Sequence, residues 1–205
     1  LNPSLTSEFL LDSLVYHILG CNIMDGKSRF EHALEKKVTA ENFSLRDHPH
    51  DTELNSCTAF SGEGVPTRPM ALLEKGVLKA HLDSVYSARR RGTTPTGNGS
   101  GPFAPILEPG PSTLDTLRAS SSIIIEPSRF SGNIDPLTGD FSGVAKGAQL
   151  YKNGKHAGPV TEVMIAGNVF EMLSGELLFG DRQYTDGGCY RLPYVVVDGV
   201  SVTAG

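Results

Sequence analysis

Gln149-Leu150-Tyr151-Lys152-Asn153-Gly154-Lys155-His156-Ala157-Gly158-Pro159-Val160 is the stretch that decides the fold class. Asn-Gly at its centre is a strong hairpin signal, because a two-residue turn needs backbone that few other residues adopt cheaply. Its flanks therefore read as antiparallel strands. One arrives from Asp140-Phe141-Ser142-Gly143 and runs on to Tyr151. The other leaves from His156 to Val160 and is continued by Glu162 to Ile165. A second hairpin reads from Met70 to Glu74 and from Val77 to Leu82, about Lys75-Gly76. Ser122 to Glu126 is a β-branched run of core character, and Cys189 to Leu192 and Tyr194 to Val202 give two more strands around Asp198-Gly199.

Helical spacing belongs mainly to the start of the chain. Phe9, Leu10, Leu14 and Ile18, with Leu11, Val15 and Leu19, recur near every third or fourth position across residues 3 to 19. Asn2 is placed to cap this helix, Pro3 fits its first turn, and Gly20 is an expected stop. So broad an apolar stripe predicts burial on most sides. Shorter helices are expected over Asp83 to Arg91, over Ser112 to Ala119 behind a Ser cap, and through Leu173 after Ala166-Gly167-Asn168. Residues 22 to 58 read as mostly irregular, with a short helix or strand inside Phe30 to Val38, and Thr94 to Pro105 is a long Gly/Pro/Asn/Ser loop. The sum is α+β, with an antiparallel sheet system and a buried N-terminal helix.

Composition narrows the function classes. The chain has 205 residues, 39% hydrophobic and 20% charged, with a net charge of −5, which suits a globular protein with a sizeable core. No apolar run reaches the ~18 residues that a membrane helix needs. The acidity and the lack of a basic face argue against direct nucleic-acid binding; Arg89-Arg90-Arg91 reads as a solvated turn or helix end. Cys21, Cys57 and Cys189 contain no CxxC and fit free thiols in a reducing compartment. The opening Leu1-Asn2-Pro3-Ser4 has no initiator Met and no basic signal segment, so it reads as part of a longer chain.

Several segments, in order and spacing, resemble the TldD/PmbA family, zinc metallopeptidases also called modulators of DNA gyrase. They are Glu63-Gly64-Val65-Pro66-Thr67-Arg68 with Glu74-Lys75-Gly76-Val77-Leu78; Tyr86-Ser87-Ala88-Arg89 with Pro95-Thr96-Gly97-Asn98; Thr138-Gly139-Asp140-Phe141-Ser142-Gly143 with Gly147 and Asn153-Gly154; and Pro159-Val160 with Ile165-Ala166-Gly167-Asn168. The resemblance implies that 1–205 is the family's β-rich, barrel-like C-terminal domain without its N-terminal domain. It further implies a cytoplasmic, dimeric protein. The TldD type cleaves unfolded or extended peptides with zinc, and PmbA, also TldE, is its non-identical partner.

TldD-type members carry HExxxH on the helix that corresponds to residues 3 to 19, and a Cys near the C-terminus. Two imidazoles and a thiolate suit zinc and leave a position for water, whose proton the Glu accepts. Two registers are possible here. One falls on Leu11-Asp12-Ser13-Leu14-Val15-Tyr16 and loses both His positions. The other falls on Asp12-Ser13-Leu14-Val15-Tyr16-His17, keeping His17 but placing Asp12 and Ser13 at the first His and the Glu. A Ser hydroxyl does not accept a proton as a carboxylate does. Cys189, in Gly187-Gly188-Cys189, lies near the place of the tail Cys.

Three readings follow. In the first, the chain is a PmbA/TldE-like partner without its own metal, completing a peptide cavity that His17, Asn98 and Gly99 help to line. In the second, it is a divergent zinc peptidase with Asp12, His17 and Cys189 as ligands and Glu63 as base. In the third, it is a homodimeric binding module. The loop Asp47-His48-Pro49-His50-Asp51 collects two imidazoles and two carboxylates and is a further metal candidate. Against the zinc reading, Asp12 and His17 stand about 140° apart on a regular helix. His17 also sits in an apolar run, as a core histidine would, and Cys189 reads equally as a small buried residue. His32, His81 and His156 read as surface or cross-strand residues.

Overall fold

The computed structural model describes every residue except Glu162 and Gly205, and leaves the side chains of Asp186 and Ala204 undescribed. The proposed strand start at Glu162 therefore lies outside the described residues.

A near-continuous helix (α1) occupies residues 3–18. Asn2 caps it, its side chain accepting the Leu5 N–H at 3.0 Å, and Pro3 stands in the first turn. Leu5, Phe9, Leu10, Leu11, Leu14 and Ile18 are all buried. At about 1.5–3 kcal/mol per buried side chain, packing rather than intrinsic propensity makes this helix. It does not stop at Gly20. Leu19 turns extended, with ψ 126°, and a short helix α2 (Gly20–Met24) follows. The interruption is tertiary: Leu82 N–H donates to Ile18 O and Gly20 N–H donates to Leu82 O, both at 2.8 Å, so a bridge to Leu82 takes over the helical bonds.

The remaining helices are α3 (Val85–Arg91), α4 (Leu114–Arg118) and α5 (Val169–Ser174), capped by Ser84, Thr113 and Asn168. Thr113, not Ser112, accepts the capping N–H. The strands are β1 (Leu45–Asp47), β2 (Met70–Glu74), β3 (Val77–Leu78), β4 (Pro105–Leu107), β5 (Ile123–Glu126), β6 (Arg129–Ile134), β7 (Asp140–Lys146), β8 (Ala148–Lys152), β9 (Lys155–Val160), β10 (Val163–Asn168), β11 (Leu177–Asp186), β12 (Tyr190–Val197) and β13 (Ser201–Ala204). The architecture is α+β and mostly antiparallel. The sheets are open, in the orders β11-β12-β4-β1-β2-β3, β13-β10-β7-β6 and β5-β8-β9, and no closed barrel forms among the described strands. The Asn153-Gly154 hairpin joins β8 to β9 with both turn residues at positive φ, 49° and 77°. Residues 140–151 form two strands rather than one, separated at Gly147. Phe30 to Val38 is turns. Ile123–Glu126 is a strand but not a core one: it ends its sheet, and Ile123 is 58% exposed.

The chain divides into two compact units. The first comprises Leu1–Ser13, Pro109–Gln183 and Pro193–Gly205. Its core is built on Phe9, whose ring meets Phe130 and Phe141 edge-on at 4.8 and 4.9 Å, with Val163, Val169 and Leu173 fully buried. The second comprises Leu14–Glu108 and Tyr184–Leu192, with Phe43, Leu45, Leu72, Leu73 and Leu107 as its fully buried centre. No helix among the described residues is long and apolar enough to cross a membrane.

Candidate functional site

Along α1 the hydrogen-bond ladder slips once. Over Ser7–Leu11 it widens to i→i+5, the Asp12 N–H reaching Ser7 O. Such π-type bulges are frequent at functional sites. The helix is regular again over Asp12–Ile18, so Asp12 and His17 keep their roughly 140° separation. Asp12 lies in the first unit and His17 in the second. Asp12 is exposed as a residue, although desolvation at its carboxyl pushes its pKa above the ordinary value.

His17 is 1% exposed and packed edge-on against Tyr16 and Phe30. Its Nδ1 accepts the Arg29 backbone N–H at 3.1 Å. The ring proton therefore sits on Nε2. Ligating a metal through Nε2 would move that proton to Nδ1, where it would face the Arg29 N–H donor. Cys189 is exposed, its thiol 3.5 Å from Gly187 O. Among the described residues no three His, Cys, Asp or Glu side chains gather where they could hold a metal ion. Asp12, His17 and Cys189 therefore form no such group among the described residues, and the Nδ1 bond of His17 is what a zinc ligand there would have to give up.

The other metal candidate is committed to structure. Asp47 is a buried carboxylate that accepts the Ala104 N–H at 2.7 Å and the Asn98 side-chain amide at 2.9 Å. His50 Nε2 lies 3.0 Å from Thr67 Oγ1, and Asp51 pairs with Arg191 at 3.0 Å. Glu63 accepts the Val85 N–H at the start of α3, so it works as a helix cap.

Asn98 and Gly99 belong to a loop held at two points. Asp47 ties down Asn98 and Ala104 from one side. On the other, Gly99 presses on Ser84 so closely that a Cβ would lie 2.1 Å from Ser84 N. Asn98 is itself buried, and its Oδ1 has no hydrogen-bond partner among the described residues.

The centre that sequence reasoning missed lies next to this loop. The Asp83 carboxylate accepts from Ser87 Oγ at 2.8 Å, Thr93 Oγ1 at 2.9 Å and Arg91 Nη1 at 2.8 and 2.7 Å. Thr96 N–H donates to Asp83 O, and Thr96 Oγ1 accepts the Asp83 N–H. Arg91 Nη2 also approaches His81 Nδ1 at 3.0 Å, while His81 Nε2 lies 3.0 Å from Phe30 O. His81 is therefore neutral with its proton on Nε2; burial, with Arg91 adding to it, holds its pKa below the usual value. So Arg91 is an internal anchor, while Arg89 and Arg90 are solvated as expected. His81 is a core residue, not a surface or cross-strand one, whereas His156 does sit cross-strand, beside Gln149. All three cysteines are exposed, Cys189 included.

Residues 1–204 match the family model described as the PmbA/TldA metallopeptidase C-terminal domain. A Haemophilus influenzae protein named metalloprotease PmbA homolog is 30% identical over 152 residues, covering 72% of this chain and 33% of the relative. A solved structure from Bacteroides thetaiotaomicron, described as a modulator of DNA gyrase, superposes with a TM-score of 0.85 at 28% identity, covering 99% of this chain and 46% of that one. TldE from Thermococcus kodakarensis shares the fold, with a TM-score of 0.81 at 23% identity over 94% of this chain and 48% of that one. The chain thus spans a third to a half of the length of these proteins.

Proposed function

We propose that this chain, which belongs to the PmbA/TldA metallopeptidase C-terminal-domain family, is the PmbA/TldE-type, non-hydrolytic subunit of a cytoplasmic TldD-type metallopeptidase complex acting on unfolded peptides. The observation that carries the proposal is on α1. No histidine of the chain is followed by a glutamate. The one histidine of that helix accepts a backbone N–H at Nδ1 inside an apolar packing site. A His-Glu pair, which would put a metal ligand beside a general base, is thus missing from that helix. Zinc, if held by a TldD-type partner, would supply the activated water; this chain would supply binding surface.

In this reading the 97–104 loop contacts peptide, with Asn98 Oδ1 the acceptor left over for an incoming N–H once the loop shifts. His17 supports the helix from behind rather than touching peptide. The test is to mix the chain with a TldD-type metalloprotease and measure complex mass by light scattering alongside cleavage of an unstructured peptide. A 1:1 complex that cleaves faster than the partner alone supports the proposal. Two separate species with unchanged cleavage overturn it, and a homodimer that ignores the partner points instead to the self-associating binding module.

A further inference from the structure

Asp47 is the last residue of β1, which lies between β4 and β2 in the second unit. It stands opposite Met70 in one ladder and opposite Pro105 in the other, and it is wholly buried. Both carboxylate oxygens accept: Oδ1 takes the Ala104 N–H at 2.7 Å and Oδ2 the Asn98 amide at 2.9 Å. Accepting at both oxygens is the pattern of an ionised carboxylate. Buried charges are ordinarily paired. Asp47 has only these two neutral donors among the described residues. Arg91, the cation of the adjoining network, is committed to Asp83 at 2.7 Å.

A second lack lies one hydrogen bond away. The Asn98 amide nitrogen is held by Asp47 and by Met70 Sδ at 3.0 Å, while Asn98 Oδ1, in a side chain just as buried, has no partner. Asp47 decides which end of the amide is left over: a carboxylate accepts only, so the NH2 turns toward it and the carbonyl oxygen remains. A charge without a counter-charge and an acceptor without a donor both call for a cationic N–H group. A peptide amide would satisfy Oδ1 alone. A divalent metal would find one carboxylate and, among the described residues, no cluster of His, Cys, Asp or Glu to complete its shell. A primary ammonium is compact, charged and carries three donors.

The loop that carries Asn98 is built to admit such a group. Gly97 and Gly99 are pinned, since a Cβ would lie 2.5 Å from Pro66 O at the first and 2.1 Å from Ser84 N at the second. Ser100 is exposed, and a Cβ on Gly101, at φ 133°, would meet only Val15 Cγ1 at 4.0 Å. Residues 100–102 can therefore swing while 97–99 keep Asn98 in place.

We propose that Asn98 and Asp47 form a recognition site for a primary ammonium group, bonded by Asn98 Oδ1 and balanced by the charge of Asp47, which also fixes the amide's orientation. The proposal rests on the reading of this loop as a peptide contact and deepens it: the peptide recognised presents a lysine side chain or a free N-terminal amine. It concerns this chain alone, so it stands or falls apart from any complex with a TldD-type partner.

The test titrates the purified, 15N-labelled chain with three probes and follows the Gly99 and Ala104 amide signals by NMR. Nα-acetyl-lysine amide offers a side-chain ammonium, alanyl-alanine amide offers a terminal one, and Nα,Nε-diacetyl-lysine amide offers neither. The expected result is a saturable shift with an ammonium probe and at least about tenfold weaker binding of the neutral analogue, the worth of one hydrogen bond to a charged group. The tighter of the two ammonium probes identifies the source. Met70→Lys places an ammonium opposite Asp47 from within the chain, and it abolishes probe binding with the rest of the amide spectrum unchanged; Met70→Leu keeps binding. Equal affinity for the neutral analogue, or a Met70→Lys chain that binds as the wild type does, overturns the proposal. So does the lack of a saturable shift at the solubility limit of both ammonium probes, which would leave Asn98 Oδ1 to a buried water.

Discussion

Replacing Asp83 by alanine removes the acceptor of four hydrogen bonds at once. The Asp83 side chain is 4% exposed and that of Arg91 17%. Breaking a buried ion pair by deleting one partner costs about 3–5 kcal/mol, because the other charge stays behind uncompensated. Arg91 retains some water contact and lies beside His81 Nδ1, so the lower end applies, about 3 kcal/mol. With a urea m-value of about 1–3 kcal/mol/M, the unfolding midpoint falls by roughly 1–3 M. The chain has no tryptophan, so the transition is followed by circular dichroism. Asp83→Ala combined with Arg91→Met separates the causes. If the stranded guanidinium is the cost, the double variant recovers at least about 1 kcal/mol relative to Asp83→Ala alone. A midpoint shift below about 0.3 M, or strictly additive losses in the double variant, would refute the claim that this pair anchors the 83–96 segment.

Gly99→Ala places a Cβ against Ser84 backbone and costs about 1–3 kcal/mol, whereas Gly62→Ala, with nothing within 4 Å, is close to neutral; thermal unfolding compares the two. Asp47→Asn turns an NH2 toward one of two buried donors, costs about 1–3 kcal/mol, and speeds proteolysis within 94–104. His81 is neutral in the fold with a pKa below its ordinary 6.5, so its contribution is fully present above that pH and is lost as pH falls toward the folded value. His81→Gln, which can still donate to Phe30 O and accept from Arg91, flattens that decline in urea midpoints measured between pH 7.5 and pH 5.5. Phe9→Ala opens the aromatic centre of the first unit and costs about 3–5 kcal/mol by urea unfolding.

What could be read from the chain was local. Asn153-Gly154 names its own turn because the turn demands positive φ at both positions. Asn2 and Pro3 mark the start of α1 because the first helical N–H groups need an acceptor. The end of α1 was not readable, since it is set by Leu82, more than sixty residues away. β11 and β6 escaped notice for a related reason: Asp181-Arg182-Gln183-Tyr184-Thr185 and Arg129-Phe130-Ser131-Gly132-Asn133-Ile134 are largely polar and half-exposed, so ladder pairing rather than alternation makes them strands. The same limit applies to the site. Asp47 and Arg91 sit in stretches that look solvated, and only burial by distant chain turns them into anchors. In the other direction, the helical angle between Asp12 and His17 already argued against a shared ligand face. The bulge leaves it unchanged because it ends at Leu11.

The claim on which the rest depends is that α1 has no hydrolytic centre of its own. The direct measurement is cleavage of an unstructured peptide by the purified chain in excess zinc, with a parallel sample in chelator. The account predicts identical, background-level rates in both. Chelator-sensitive cleavage that Cys189→Ala or His17→Gln abolishes, with the fold intact, would contradict it.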